Sequence, residues 1–316
     1  MSKTLRIVFM GTPDFAVATL EGLLHHGYNI VGVITAPDKP AGRGQKLTLS
    51  AVKQFALSKH LNILQPTNLK DPNFIEELKA LNANLQIVVA FRMLPEVVWS
   101  MPKYGTFNLH ASLLPNYRGA APIHWAIING ETKTGVTTFF IDEKIDTGAM
   151  ILQEAIGIEP DETVGSLHDK LMVLGRDLVL KTVRLIENQT VSTTIQSKSE
   201  DLRTAYKLHK DNCKIDWEAS LDHIYNKIRG LNPFPGAWCY LKNGEEELSI
   251  KLFEVEKETS RHALEPGKVL TGKNYLKVAV RDGYILIHGI QLPGKRKMDT
   301  TSLLNGFHFN EDAIML

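Results

Sequence analysis

The fold is decided by the run Leu5-Arg6-Ile7-Val8-Phe9-Met10 and by the two segments that follow it. Short apolar runs of this kind, rich in β-branched and aromatic side chains, are typical of strands that are buried on both faces of a sheet. Residues 16–25 have the apolar spacing of a helix, and residues 28–35 contain another strand-like run. A strand, a helix and a strand in this order predict a parallel sheet covered by helices.

The same alternation continues to about residue 188. Residues 85–90, Thr106–His110 and residues 135–140 predict further strands. Behind Asp161, a favourable helix cap, apolar side chains recur at helical spacing. They are Val164, Leu167, Leu171, Leu174 and Leu178. We expect this helix to close a first domain, residues 1–188, because a chain of 316 residues exceeds what one hydrophobic core usually fills.

The composition changes over residues 189–207, where Gln (Gln196 among them), Ser and Thr dominate. Such a polar stretch predicts a linker. Beyond it, Leu221–Leu231 predicts a helix, and five β-rich runs follow, separated by Gly and Asn. These runs are residues 237–241, 248–255, 268–270, 276–279 and 284–292. Short strands with turns predict that residues 208–316 form a small, OB-like β-barrel domain.

Composition excludes some classes of protein. The hydrophobic fraction of 43% and the charged fraction of 22% are ordinary for a globular chain, and the net charge of +1 excludes a strongly basic protein. A local basic patch would still suffice to bind phosphates. Cys213 and Cys239 lie far apart with no CxxC pair, so neither a zinc knuckle nor a disulfide framework is expected. With no leader and no apolar stretch of bilayer length, we expect a cytoplasmic enzyme without a membrane partner.

The segment with the clearest chemistry is Thr106–His110 and the loop that follows it. Residues two apart in a strand point to the same face, so Asn108 and His110 face the same way. Ligands of doubly wound sheets bind beyond the carboxyl ends of the strands. An amide and an imidazole at that position can polarise a carbonyl and transfer a proton. The alternative is a pair of hydrogen-bonded structural side chains.

Two carboxylates in a later loop are candidates to assist His110. Asp146 lies in Ile145-Asp146-Thr147-Gly148, after the strand predicted over residues 135–140, and Asp142 precedes it in the same loop. A carboxylate beside an imidazole orients the ring and stabilises its charged form. Either aspartate can instead be a turn residue that accepts a hydrogen bond from its own backbone.

Two basic segments are candidate phosphate contacts. The loop over residues 36–49 carries Lys39, Arg43 and Lys46 among glycines and prolines. A basic loop beside a cleft at the sheet edge can hold a phosphate backbone. The other segment is Lys295-Arg296-Lys297, which follows Pro293-Gly294. Taken alone, the first can be a solvated loop and the second a turn.

Longer motifs in these regions resemble those of the methionyl-tRNA formyltransferase family. The family's first strand and turn are similar to Phe9-Met10-Gly11-Thr12-Pro13-Asp14-Phe15, and its SLLPxYRG signature is similar to Ser112-Leu113-Leu114-Pro115-Asn116-Tyr117-Arg118-Gly119. Its DTG segment resembles Ile145-Asp146-Thr147-Gly148. The C-terminal half of the chain is also similar to that of the family, and includes the segment Gly230-Leu231-Asn232-Pro233-Phe234-Pro235-Gly236-Ala237-Trp238. The motifs follow in order, so the resemblance runs from end to end.

This resemblance implies a Rossmann-like catalytic domain, a smaller OB-like domain that binds tRNA, and a monomer. It implies that 10-formyltetrahydrofolate donates a formyl group to methionyl initiator tRNA, without a metal. The family's catalytic residues fall on Asn108, His110 and Asp146. Folate contacts are expected at Ser112, Leu113, Leu114, Pro115, Phe91, Arg92 and Leu94. Contacts with tRNA are expected at Lys39, Arg43, Lys46, Lys295, Arg296 and Lys297.

One segment departs from the family's pattern. Ala90-Phe91-Arg92-Met93-Leu94-Pro95 stands where many members resemble AYGLILP, so a bulky cation replaces a small residue at the folate pocket.

Three other functions are compatible with parts of the pattern. Folate-dependent formyltransferases that act on a sugar-nucleotide amine share the SLLPxYRG and DTG motifs, but have no use for the basic loop over residues 36–49. A 10-formyltetrahydrofolate hydrolase would use water as the acceptor. A non-catalytic folate- or RNA-binding module would have no need of the Asn108, His110 and Asp146 trio.

Overall fold

The computed structural model describes residues 5–41, 46–198 and 201–316. Up to residue 188, strands and helices alternate as the apolar pattern predicts. In chain order they are β1 (Arg6–Gly11), α1 (Asp14–His25), β2 (Asn29–Ile34), β3 (Lys39–Ala41), β4 (Lys46–Thr48), α2 (Ala51–Ser58), β5 (Ile63–Leu64), α3 (Pro72–Ala80), β6 (Leu85–Val89), α4 (Glu96–Trp99), β7 (Thr106–His110), β8 (Arg118–Gly119), α5 (Pro122–Ile128), β9 (Lys133–Phe140), β10 (Met150–Gly157) and α6 (Val164–Asn188).

The main sheet has the order β10-β9-β7-β6-β1-β2-β5 among the described strands. β1 pairs in parallel with both β2 and β6, β2 with β5, and β6 with β7, whereas β9 runs antiparallel to β7. The chain therefore extends to one side of β1 and then returns to add strands on the other side. The point between β1 and β6 is the topological switch at which doubly wound sheets bind ligands.

The central strands form because their residues are apolar on both faces. Ile7, Val8 and Phe9 in β1 are fully buried, and all five residues of β6 are buried. Helix α6 begins as predicted, but its cap is Thr163 rather than Asp161. The Thr163 hydroxyl accepts a hydrogen bond from the backbone N–H of Ser166 at 3.3 Å, which satisfies a free donor of the first turn.

Gly11 allows the end of β1 to pack closely against its neighbours. A Cβ at this position would lie 2.6 Å from the Ala16 Cβ and 2.9 Å from the Val89 carbonyl oxygen. The glycine in the Met10-Gly11-Thr12 turn is therefore required by packing at the switch point of the sheet.

The C-terminal half consists of short antiparallel strands and two helices, among the described residues. They are β11 (Thr204–Ala205), a 3₁₀ turn (Asp211–Cys213), α7 (Leu221–Leu231), β12 (Ala237–Asn243), β13 (Glu246–Leu252), β14 (Val255–Thr259), β15 (Val269–Thr271), β16 (Leu276–Val280), β17 (Gly283–Ile287), β18 (Gly289–Gln291), β19 (Met298–Asp299), α8 (Thr300–Leu304) and β20 (Ile314–Met315). Apart from β11, the strands form two sheets with the orders β19-β18-β13-β12-β20 and β14-β17-β16-β15.

Two of the predicted C-terminal strands are each divided between these sheets. The run over residues 248–255 becomes β13 and β14, and the run over residues 284–292 becomes β17 and β18. The breaks lie beside each other, because the backbone N–H groups of His288 and Gly289 donate to the Glu254 carbonyl at 2.8 and 3.0 Å. The apolar pattern continues through both breaks, so the sequence does not indicate where either strand ends. The prediction of Leu221–Leu231 as a helix matches α7.

The chain divides into two units, with boundaries that differ from the expected ones. The first runs up to Gly119 and includes Gly135–Ile156 and His168–Thr204, and the second comprises Ala120–Thr134, Gly157–Leu167 and Ala205–Leu316. Most of the stretch predicted as a linker, residues 189–207, therefore belongs to the first unit.

Both cysteines are buried and unpaired. Burial raises the pKa of the Cys239 thiol to about 12 and also raises that of Cys213, so both thiols are poor nucleophiles at neutral pH. Among the described residues, no three or more His, Cys, Asp or Glu side chains are arranged to hold a metal ion. No helix in the described part of the chain has the length and apolar character to span a membrane.

Candidate active site

Strand β7 presents Asn108 and His110 on one face, as its alternation predicts. Phe107 and Leu109 are buried on the other face, where Leu109 packs so close to Gly175 of α6 that a Cβ there would lie 2.8 Å from it. Asn108 is half-buried, and none of the described residues hydrogen-bonds its side chain. His110, at the end of the strand, is 6% exposed. The Asn108 amide is thus available to hydrogen-bond a ligand.

The two nitrogens of the His110 ring face different groups. Nε2 lies 2.7 Å from the Tyr117 carbonyl oxygen, and Nδ1 lies 3.8 Å from Oδ2 of Asp146. A carbonyl oxygen can only accept, so Nε2 carries the hydrogen of this bond. Nδ1 is therefore the ring atom left for proton transfer beside the carboxylate.

The loop after β9 separates the two candidate aspartates. Asp146 has a left-handed backbone with φ of +54°, and its Oδ2 accepts a hydrogen bond from the Gly119 N–H at 2.9 Å. Asp142 is exposed, and its Oδ1 accepts from the Lys144 N–H at 3.0 Å and from the Thr147 hydroxyl at 2.7 Å. Asp142 thus stabilises its own turn, while Asp146 is the carboxylate beside the imidazole.

Gly148 lets this loop pass the end of β9. A Cβ at Gly148 would lie 1.7 Å from the Phe140 carbonyl oxygen, while the Phe140 N–H donates to the Ala149 carbonyl at 3.0 Å. The backbone contact leaves no room for a side chain. The glycine two residues after Asp146 is therefore needed to set the path of the loop.

We expect Gly148→Ala to destabilise the protein by about 3 kcal/mol or more, at the upper end of overpacking effects, because backbone atoms must move. The matched control is Gly157→Ala, since a Cβ at Gly157 would meet no atom within 4 Å. Urea unfolding at equal m-values measures both changes. Equal denaturation midpoints for the two variants would contradict the packing described.

The loop after β7 is folded against itself. Ser112 and Leu114 are buried, and the Ser112 hydroxyl donates to the Asn116 carbonyl at 2.7 Å. Leu113 and Pro115 are half-buried. Of the four expected folate contacts in this run, Leu113 and Pro115 therefore have accessible side chains.

Strands β9 and β10 each hold this loop through one polar residue, Thr137 in β9 and Gln153 in β10. The Thr137 hydroxyl donates to the Ser112 carbonyl at 2.7 Å and lies 3.2 Å from the Leu114 N–H. The Gln153 amide donates to the Leu114 carbonyl at 3.0 Å and to the Thr137 hydroxyl at 2.9 Å. Thr137 is also the register partner of His110 in β9. The loop and the histidine are thus fixed by the same neighbouring strand.

The residues expected on the other side of the folate pocket follow β6. Leu94 is 6% exposed, and Phe91 packs against the same apolar cluster. The Arg92 guanidinium instead donates to two backbone carbonyls, that of Thr67 at 2.8 Å and that of Pro66. The cation that departs from the family's pattern is thus bound by a neighbouring loop.

The basic loop over residues 36–49 contains a short hairpin, in which β3 and β4 pair antiparallel. Lys39 is exposed on β3. Lys46 begins β4, and Arg43 lies outside the described residues. The part of this loop that the structure describes is therefore more regular than the sequence predicted.

The C-terminal basic cluster follows β18 as a turn. Gly294 has φ of +70°, and Lys295 and Arg296 are exposed. The Lys297 ammonium pairs with the Glu254 carboxylate. Two of the three cations are thus available for a phosphate.

Sequence reasoning missed the residues that support the site. Thr137 and Gln153 support the loop after β7, and Gln196 hydrogen-bonds the backbone at Asp146. No local motif marks them, because each acts through a contact with a distant part of the chain.

Comparisons with known proteins match both parts of the chain to one family. The Formyl transferase family matches residues 5–183, and its C-terminal domain matches residues 207–308. A methionyl-tRNA formyltransferase of Flavobacterium johnsoniae is 63% identical over 311 residues, which cover 98% of this chain and 99% of that protein. One from Bacteroides fragilis is 55% identical over 314 residues, covering 98% and 97%.

Among solved structures, the sugar 3N-formyl transferase WlaRD, crystallised with dTDP and 5-N-formyl-THF, has a similar fold. The TM-score is 0.65 at 21% identity, over 93% of this chain and 99% of that one. This likeness concerns the fold. Because the full-length relatives share more than half of its residues, the chain belongs to the methionyl-tRNA formyltransferase family.

Proposed function

We propose that the chain transfers the formyl group of 10-formyltetrahydrofolate to the free amino group of methionyl initiator tRNA, with Asn108, His110 and Asp146 as its catalytic residues. The observation that carries these roles is the geometry at the end of β7. The half-buried Asn108 amide and the His110 imidazole lie on one face of this strand, and His110 Nδ1 lies 3.8 Å from Oδ2 of Asp146.

The reaction needs a proton to move from one nitrogen to another. The amine nitrogen forms a bond to the formyl carbon, and the bond from that carbon to N10 of the folate breaks. The amine loses a proton, and N10 of the departing folate gains one. The formyl oxygen carries negative charge between these two events, so hydrogen-bond donors near it lower the barrier.

Each of the three residues is suited to one step of this reaction. The Asn108 amide donates to the developing oxyanion. The His110 ring keeps its Nε2 hydrogen on the Tyr117 carbonyl, so Nδ1 is the atom that carries a proton to or from the reacting groups. Asp146 stabilises the charged ring and assists removal of the amine proton.

The folate would lie beyond the carboxyl ends of β6 and β7. Leu113 and Pro115 are partly accessible on one side, and Phe91 is on the other. Arg92 is held at the Pro66 and Thr67 carbonyls, so it would border the ligand without filling its pocket.

The acceptor proposal draws on the full-length relatives and on the exposed cations Lys39, Lys295 and Arg296. We propose phosphate contacts from Lys39, Arg43 and Lys46, with a weaker contribution from Lys295, Arg296 and Lys297. We also propose that the enzyme acts in the cytoplasm as a monomer, which light scattering in solution would test.

The tRNA contact is tested by salt dependence. Each phosphate contact releases counterions, so the logarithm of kcat/KM should fall as the logarithm of salt concentration rises. Arg43→Ala should flatten that slope by about 0.7–0.9 and leave exchange of the folate donor unchanged. Lys79→Ala, an exposed cation on α3, is the control and should keep the wild-type slope. A wild-type slope for Arg43→Ala would exclude a phosphate contact at this residue.

A further inference from the structure

The polar stretch that follows α6 contains a buried amide side chain. Gln196 is 5% exposed, whereas its neighbours Ile195 and Ser197 are exposed. Thr194, also in this stretch, pairs with Met150 at the start of β10 through two backbone hydrogen bonds of 2.9 Å. Residues 189–198 are therefore attached to the first unit, and the buried amide needs partners there.

Gln196 uses both ends of its amide. Its Nε2 donates to the carbonyl oxygens of Asp146 at 2.9 Å and Gly148 at 2.8 Å. Its Oε1 accepts from Nε and Nη2 of Arg118 at 3.0 and 2.6 Å. One side chain thus joins the loop that carries Asp146 to the loop that follows β7.

A second contact from the same stretch reaches the other partner of His110. The Tyr117 N–H donates to the Arg203 carbonyl at 2.6 Å, and the Arg203 guanidinium lies 3.2 Å from the Tyr117 hydroxyl. Tyr117 is the residue whose carbonyl accepts the Nε2 hydrogen of His110. Both groups that face the imidazole are therefore held by this stretch, one by Gln196 and the other by Arg203.

Asp146 depends on such support because its backbone is left-handed, with φ of +54°, which a non-glycine residue adopts only when its surroundings hold it there. Within the described part of the chain, the carboxylate accepts one hydrogen bond, from the Gly119 N–H. The carbonyl of the same residue is held by Gln196. The Gly119 N–H thus holds the carboxylate, and Gln196 holds the backbone that carries it.

We infer that Gln196 is a positioning residue for formyl transfer: it fixes the Asp146 loop and Arg118 so that the Asp146 carboxylate faces His110 Nδ1. This inference rests on the catalytic role proposed for Asp146. It assigns a function in catalysis to a stretch whose composition predicts a linker.

The first test is Gln196→Leu, which keeps the approximate volume and removes all four hydrogen bonds. A misplacement of about 1 Å can cost about 10² in rate, so kcat should fall by about 10–10² while the KM values for folate and tRNA stay close to wild type. Ser197→Ala, the exposed neighbour, should retain the wild-type kcat. An unchanged kcat in folded Gln196→Leu would overturn the inference, as would a rise in KM alone.

The second test combines Gln196→Leu with Asp146→Asn. Residues that act as a unit are strongly non-additive. If Gln196 acts through Asp146, adding Gln196→Leu to Asp146→Asn should lower kcat by less than a factor of about 3. A purely structural role would give the same fold-loss in both backgrounds, and that result would overturn the inference.

Three further outcomes can be told apart. If Gln196→Leu does not fold, Gln196→Glu takes its place. It keeps an oxygen for Arg118 but sets a carboxylate against the Asp146 and Gly148 carbonyls, so the same loss of kcat is expected, and wild-type kcat would overturn the inference. If Asp146→Asn alone keeps wild-type kcat, the catalytic proposal for Asp146 fails. If Asp146→Asn lowers kcat but the effects of the two substitutions are additive in the double variant, the role of Gln196 fails and the catalytic proposal for Asp146 stands.

Discussion

Asn108→Ala is expected to lower kcat by about 10²–10³, which is the usual cost of losing one oxyanion donor. The free energy of unfolding should hardly change, because no described residue hydrogen-bonds the Asn108 side chain. His110→Ala should lower kcat by at least as much. It should also cost about 1–3 kcal/mol of stability, since the buried Tyr117 carbonyl loses its donor.

Asn108→Ala and His110→Ala should both lower kcat, but only His110→Ala should lower the free energy of unfolding. Steady-state kinetics and urea unfolding on the same preparations measure both quantities. Asn73→Ala, an exposed asparagine on α3, is the control and should match the wild type in each. Near-normal kcat in folded Asn108→Ala would remove the amide from the mechanism.

Asp146→Asn should lower kcat by about 10²–10⁴, the range contributed by a positioned acid–base group. The amide is nearly the same shape, and its oxygen can still accept the Gly119 N–H, so the loop should keep its path. What is lost is the negative charge 3.8 Å from His110 Nδ1. The effect should therefore fall on kcat, with little change in the urea midpoint.

Asp142→Asn provides the matched comparison within the same loop. Its carboxylate lies in a turn and faces Lys144 and Thr147. An amide oxygen can accept the same two hydrogen bonds, so kcat should stay near the wild-type value. If Asp142→Asn proved the more damaging of the two, the roles assigned to these aspartates would be reversed.

Strands β1, β2, β6, β7 and β9 could be predicted because their sequences are rich in apolar and β-branched residues. Thr106–His110 matches β7, and the predicted first strand differs from β1 by one residue at each end. β10 was not predicted, because apart from the buried Ile151 its residues are half-buried or exposed, and the run is partly polar. The proximity of Asp146 to His110 could be anticipated only through the family resemblance, because residue spacing gives no distance across a sheet edge.

The polar stretch after α6 shows where composition misleads. Low hydrophobicity predicts a linker because a polar segment buries little apolar surface. Gln196 is nevertheless buried, since its amide donates to two backbone carbonyls and accepts from the Arg118 guanidinium. Hydrogen bonds to distant backbone groups leave no periodic signal in the sequence. This part of the site could therefore be identified only from the structure.

The acceptor is the central claim, and one comparison tests it most directly. The purified protein is given 10-formyltetrahydrofolate with methionyl initiator tRNA, free methionine, a sugar-nucleotide amine or water alone, and kcat/KM is measured for each. We expect efficient formylation of the tRNA, with the other acceptors slower by orders of magnitude, and loss of the tRNA reaction in Asn108→Ala. Efficient formylation of the amino sugar, or hydrolysis of the donor as fast as transfer to tRNA, would contradict the account.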